Sequence, residues 1–370
     1  MGSRTGPAYG RMMTTPTPSP TDVTDTVVER LFLAMLDGMD VVAVAIGDRL
    51  GYYRALDEAP RTSSGLAEAT GSHERYAREW LEQQAMSGYL VVDEGVFSLA
   101  PGVAEALARP GTSAWVAPML RQFAAAADHW AEVADGARTG AGLPWAGFGR
   151  DMYESQSDVN AAPLLESLAG TWLRAALPGL HARMAAGETV RVADVGCGGA
   201  WAGIALARAF PGVHVDGYDV DGPTVALARA NVEREGLADR VRVLEQDLAE
   251  HSPDAAYDLV MAYECIHDMP HPVPVLAAMH RMVRPEGRVL VADMAGAEEF
   301  TPDGDPTQRC LYGYSVLVCL PDAMSGNAEG ATGTVMRPAT MNRYAREAGF
   351  AGATPLPVDH DLWRFYELMR

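Results

Sequence analysis

VRVADVGCGGAWAG, residues 190–203, sets glycines at 196, 198 and 199 directly after a run of small β-formers and just before an apolar, helix-like stretch. A glycine-rich turn from strand to helix bends sharply and lets a ligand approach the helix N-terminus. Two details decide which ligand. A dinucleotide loop reads G-x-G-x-x-G; counted from Gly196 and Gly198, its third glycine falls on Trp201, and an indole blocks the close helix–strand packing required there. Asp194, two residues before the first glycine, repels a pyrophosphate and attracts an ammonium group. The loop therefore favours a cationic, amino-bearing ligand.

Downstream the texture repeats. VHVDGYDV, VRVLEQD, YDLVMAYE and RVLVADM are short Val-rich strands, separated by helical stretches such as GPTVALARANVEREGL and VPVLAAMHRMV. Strands alternating with helices of this length predict βαβ units and a mostly parallel, Rossmann-like α/β sheet, which binds ligands at the carboxyl ends of its strands. Acids stand at those ends: Asp194 on the first strand, Asp219 on the second, Asp247 on the third and Glu264 on the fourth. Asp219 is placed to accept from ribose hydroxyls, Asp247 from an adenine amino group, and Glu264 lies beside the cofactor's midsection. S-adenosyl-L-methionine, with adenine and ribose at one end and an amino group and sulfonium at the other, satisfies the whole series. Taken singly, each Asp reads equally well as a helix cap or turn residue.

On these residues, 188–294 resemble a class I S-adenosylmethionine-dependent methyltransferase. The chain from 22 onward resembles the small-molecule O-methyltransferases that place a winged-helix dimerisation domain before the catalytic one. DVGCGGAWAG follows the D/E-x-G-x-G-x-G cofactor loop at Asp194, Gly196 and Gly198 and departs at its third glycine, where Ala200 stands. The resemblance assigns Asp219 to the ribose and Asp247, with Leu248 after it, to the adenine. It also implies a closing antiparallel hairpin at the C-terminus, where PLPVDHDLWRFYELM has strand-like alternation.

The first part of the chain is read from its own pattern. Residues 1–21 are rich in Gly, Pro, Ser and Thr, lack the apolar core of a secretory signal, and are expected to be a disordered tail. Residues 22–108 open with a helix that is apolar all round (27–46), expected to be buried in a homodimer. A Thr62/Ser63-capped helix, a Gly71-Ser72 turn, a helix over 73–86 and a hairpin turning at Asp93-Glu94-Gly95 then make a winged helix. Residues 109–187 read as a helical connector whose tryptophans are expected in the core, and 188–370 as the catalytic domain.

A formal net charge of −20 argues against nucleic acid and anionic membrane as partners. The four cysteines have no metal-ligand spacing, which suits reduced thiols in a cytoplasmic protein. For the chemistry, ECIHDMPHP places His267 and Asp268 just past the fourth strand. In the family resembled, a His-Asp pair in this place carries the general base that takes the acceptor's proton. His271, between two prolines, reads as structural, and no metal is called for. The forty or so residues after the fifth strand, with Tyr312 and Tyr314, read as a wall of the acceptor site. The expected activity is methyl transfer to a small, largely apolar molecule, O-directed by preference. Two alternatives stay open: the same fold and cofactor used for an elimination, cyclisation or pericyclic step, and a winged-helix regulator.

Overall fold

The computed structural model describes residues 20–302, 304–326, 328 and 330–370. Residues 1–19, most of the expected tail, lie outside them.

The winged helix forms as its local signals dictate. Thr62 Oγ1 accepts from the Gly65 amide (3.1 Å) and caps the helix Ser63–Thr70, which Gly71 ends in the left-handed conformation. His73 is the N-cap of the next helix, Glu74–Met86, through Nδ1 and the Arg75 amide. Strands β1 (Leu90–Asp93) and β2 (Val96–Leu99) pair antiparallel around Glu94 and Gly95, both at positive φ, as a two-residue hairpin turn requires. The turn is thus one residue shorter than expected, with Asp93 in the strand.

The long helix Pro20–Leu50 behaves differently along its length. Its C-terminal part is anchored: Val44 and Asp48 are buried, and Gly47 lies against the Trp80 indole, where a Cβ would come within 2.3 Å of the ring. Further towards the N-terminus Leu31, Phe32, Leu33, Met35 and Met39 are all exposed in the single chain, so the helix projects as an apolar arm. The buried Asp48 holds it to the helices Ala117–Asp128 and Arg150–Pro163 through Arg121 (3.0 Å), which also pairs with Asp158 (2.7 Å).

Seven strands form the large sheet: β3 (Val190–Val195), β4 (Val213–Asp219), β5 (Val241–Glu245), β6 (Tyr257–Tyr263), β7 (Val283–Met294), β8 (Gly352–Pro355) and β9 (Trp363–Met369). Their spatial order is β5-β4-β3-β6-β7-β9-β8. The first five are parallel; β9 is antiparallel to both β7 and β8. The chain runs outward from β3 to β5 and then restarts beside β3 with β6. The switch point, where such sheets bind ligands, is therefore the crevice between β3 and β6. Every residue of β6 is buried, the signature of a strand covered on both faces.

The C-terminal strand is shorter than its alternation suggested. Residues 356–362 form a loop in which His360 Nδ1 accepts the amides of Leu362 (3.1 Å) and Trp363 (2.9 Å), so pairing starts only at Trp363. The connector is not uniform either. Leu164–Met184 belongs to the core of the sheet, and Trp172 packs edge-on against Trp363 and His360 there, whereas Trp130 is 68% exposed, against the expectation that it would be core.

Candidate active site

The loop after β3 is built by close contacts from three directions. Gly196 has φ +65°, and a Cβ there would lie 2.8 Å from Cys265 Sγ. Gly199 faces the helix Arg150–Pro163, where a Cβ would come 2.2 Å from Ser157 Oγ. That hydroxyl accepts from Trp201 Nε1 (2.9 Å), and Asn231 Nδ2 donates to Gly199 O (3.0 Å). Trp201 is thus a strut under the loop, not a residue at its mouth. Ala200, where the family's third glycine would stand, keeps the left-handed conformation (φ +62°) and so stores backbone strain of about 1–2 kcal/mol.

Asp194, next to last in β3, is 2% exposed, and burial, helped by the charge of Asp219, pushes its carboxyl up to about 7. Asp219 reaches back to the loop: Oδ2 accepts the Gly198 amide (3.0 Å) and Oδ1 the Asp221 amide (3.1 Å). Burial raises it as well. Glu264 sits at φ +51°, a strained value for a residue with a Cβ. Burial pushes its carboxyl up to about 7, and Gln156 approaches it at 3.5 Å. Its carboxylate therefore faces the 150–163 helix rather than the glycine loop. Asp247 is exposed and accepts the Ala249 amide (2.8 Å) in a local turn, while the Leu248 side chain is core. Asp194, Asp219 and Glu264 are brought together at the switch point; Asp247 stands at its rim.

His267 is 2% exposed with both ring nitrogens engaged. Nε2 lies 3.0 Å from Asp268 Oδ1 and Nδ1 2.5 Å from Asp293 Oδ1. Burial alone would depress the imidazole, but the two carboxylates prevail and hold it well above its ordinary value. Asp293, next to last in β7, is fully buried, with Oδ1 also accepting the Met294 amide (2.7 Å) and Oδ2 without a hydrogen-bond partner among the described residues. Sequence reading missed Asp293. The signal was present in VADM, where the fifth strand ends in an acid like those before it.

The segment after β7 folds over this histidine. The Gly333 amide donates to His267 O (3.1 Å), Cys319 Sγ lies within 4.8 Å of the His267 and Asp268 ligand atoms, and buried Thr334 Oγ1 lies beside Cys319. Asp322 accepts the Trp145 amide (2.8 Å), and burial, then the charge of Asp268, pushes it up to about 8. His271 is exposed, with Nε2 3.3 Å from Gly326 O.

The donor set fits a cationic nucleoside cofactor. Asp194, Asp219 and Glu264 have no arginine partner among the described residues, and the buried Tyr263 hydroxyl is unpartnered beside Asp194. Buried acids left without a cation are costly unless a ligand supplies one.

Comparisons with known proteins agree. Residues 192–287 match the family described as "Methyltransferase domain" and residues 39–109 the "Rv2258c-like winged HTH domain". The chain is 30% identical over 259 residues to the mitomycin biosynthesis 6-O-methyltransferase of Streptomyces lavendulae, covering 68% of this chain and 73% of that protein. In fold it is similar to the mitomycin 7-O-methyltransferase MmcR (TM-score 0.71, 22% identity, 95% and 99% covered). It is similar also to human N-acetylserotonin methyltransferase in complex with S-adenosylmethionine (TM-score 0.68, 14% identity, 96% and 100% covered). The chain belongs to the S-adenosylmethionine-dependent methyltransferases that carry a winged-helix domain ahead of the methyltransferase domain. It is an enzyme of that class, and its cofactor is S-adenosyl-L-methionine.

Proposed function

We propose that this enzyme O-methylates a small, largely apolar molecule, with His267 as the group that takes the acceptor's proton. The buried His267, oriented through Nδ1 by Asp293 beside the strand-tip acids, is the observation that carries this reading. When bound, S-adenosylmethionine supplies an electrophilic methyl group on its sulfonium. Asp194 and the Gly196–Gly198 turn would hold the amino end, Asp219 the ribose, and Asp247 with Leu248 the adenine; Glu264 borders the space between cofactor and acceptor. Asp293 fixes the ring, and Nε2 is the nitrogen that would receive the hydroxyl proton. At rest that position is taken by Asp268, so Asp268 must turn aside, and His267 must lose its proton, before the base can act. The mitomycin relative is an O-methyltransferase by name, which supports the choice of oxygen.

The division read from sequence is carried forward as part of this proposal: a tail, read to 21 but giving way to the long helix at Pro20, a winged-helix dimerisation domain to 108, a connector over 109–187 that walls the acceptor site, and a catalytic domain from 188. The exposed apolar arm favours a homodimer, because a run of exposed Leu, Phe and Met this long marks an interface. The arginines of the 74–86 helix argue for that role over DNA binding. Arg75 pairs with Glu79 and Arg78 with Glu74, leaving no basic stripe. Among the described residues no helix is long and apolar enough to cross a membrane; a cytoplasmic location is proposed on the cysteine pattern alone. Incubating the enzyme with cofactor and a panel of phenolic and alcoholic acceptors tests the function. S-adenosylhomocysteine should form in step with a methyl ether, and product formed without it would overturn the reading. Light scattering should give twice the chain mass.

A further inference from the structure

The sheet is not covered equally on its two faces. Along β3, β4 and β5 burial alternates: Val190, Val192, Val213, Val215, Val241 and Val243 are core, and the residues between them point the other way. On that other face a parallel sheet normally carries a helix. Here the connection 246–256 from β5 to β6 makes only turns and bends, so the amino-terminal half of the face is bare. In place of apolar side chains it presents Arg191, His214, Asp216 and Arg242, and with Arg240 these line a cleft of about 470 Å³.

The cleft is organised from beneath. Asp216, 13% exposed at its side chain, accepts from Tyr257 Oη (2.8 Å), whose hydroxyl also meets Tyr218 Oη (2.5 Å). Thus braced, the carboxylate holds Arg242 through Nε (3.0 Å) and Arg191 through Nη2 (3.4 Å), and Arg191 lies 5.2 Å above the Tyr257 ring. Among the described residues the hydrogen bond of Arg242 to a carboxylate runs through Nε, and its side chain is 64% exposed. Arg240 anchors one nitrogen on the carbonyls of Ala207 and Phe210 and forms no ion pair among the described residues. Three guanidiniums face Asp216 and Asp239, a local positive surplus in a chain of charge −20. The chain contains no lysine, so every cation is an arginine fork, the shape that matches a phosphate.

We infer that the cleft at the amino ends of β3, β4 and β5 is a second ligand site, which takes a phosphate-bearing small molecule between Arg191, Arg240 and Arg242. It lies at the opposite end of the strands from the methyl-transfer site, so its occupant binds without displacing cofactor or acceptor.

Isothermal titration of pyrophosphate into the full chain at low ionic strength, with and without saturating S-adenosylhomocysteine, tests the site. Binding of one pyrophosphate per chain in both conditions is expected, at least tenfold weaker in Arg242→Gln and in Arg191→Gln. Arg242→Lys keeps the charge and should fall between. Cofactor affinity measured on the same variants should be unchanged, which also reports that they are folded. A parallel titration with ADP separates the sources: tighter binding than pyrophosphate assigns a nucleotide, equal or weaker binding a free polyphosphate. No binding to the wild type, equal binding to the variants, or competition by S-adenosylhomocysteine would overturn the inference.

Discussion

The two ends of one sheet carry the same residue type in opposite circumstances. At the amino ends, each buried or half-buried acid has a guanidinium. Asp216 holds Arg191 and Arg242, and Asp258 pairs with Arg284 (3.1 Å) and Arg183 (3.6 Å). At the carboxyl ends Asp194 is buried and Asp219 and Glu264 are half-buried, with no arginine partner among the described residues, and Asp268 and Asp293 share the imidazole of His267. A partnered acid is at rest. An unpartnered one raises its proton affinity and waits for a cation, which is how a binding site differs from a scaffold built of the same side chain.

The largest effect expected is at the histidine. His267→Ala should lower kcat by roughly 10²- to 10⁴-fold, the range for a lost general base, while S-adenosylhomocysteine binding stays nearly intact. Equal loss of both in titration and steady-state assays would make His267 structural. Next comes its neighbour. Because the carboxylates of Asp268 and Asp293 hold the imidazolium, activity should climb as pH rises and His267 is deprotonated. Asp268→Asn removes one of those charges and should move the acid limb of the kcat profile down by about one pH unit or more, corresponding to about 1.4 kcal/mol. An unmoved limb would remove Asp268 from the account.

A smaller, proton-linked effect belongs to Asp194. In the free enzyme its carboxyl is raised to about 7 from 3.8, so the stability it contributes is complete below the unfolded value and is lost as pH rises through about 7. A cation alongside lowers that value, so cofactor binding releases a proton and should tighten by up to about tenfold between pH 6 and pH 8. Calorimetry in buffers of different ionisation enthalpy reads the proton directly. The smallest effect is at Ala200. Its left-handed backbone costs about 1–2 kcal/mol, but the buried methyl returns about 0.8 kcal/mol, so Ala200→Gly should change stability by less than about 1 kcal/mol in denaturant melts.

What the sequence made legible follows the range of the interactions involved. The winged helix, the parallel strands and the strand-tip acids all rest on local signals: caps, alternation, and a turn that only glycine makes. His267 was found because it stands three residues past Glu264. Asp293 could not be joined to it from sequence, since 26 residues and a helix separate them and only sheet pairing brings β7 beside β6. Cys319, Asp322 and Thr334 reach the site from a segment with no regular pattern. Glu264 was legible as an acid at the right strand but not in its direction, which its positive φ sets towards Gln156. Trp130 carried no signal that distinguished it from the tryptophans that pack.

One paired titration tests the contrast between the two ends most directly. S-adenosylhomocysteine is titrated into the wild type, Asp219→Ala and Asp216→Ala. Loss of Asp219, the proposed ribose acceptor, should weaken binding roughly 10- to 100-fold. Loss of Asp216 should leave affinity unchanged and cost about 1–3 kcal/mol of stability, because Tyr257 and two arginines lose their acceptor. Undiminished binding in Asp219→Ala, or an equal loss in both variants, would contradict the account.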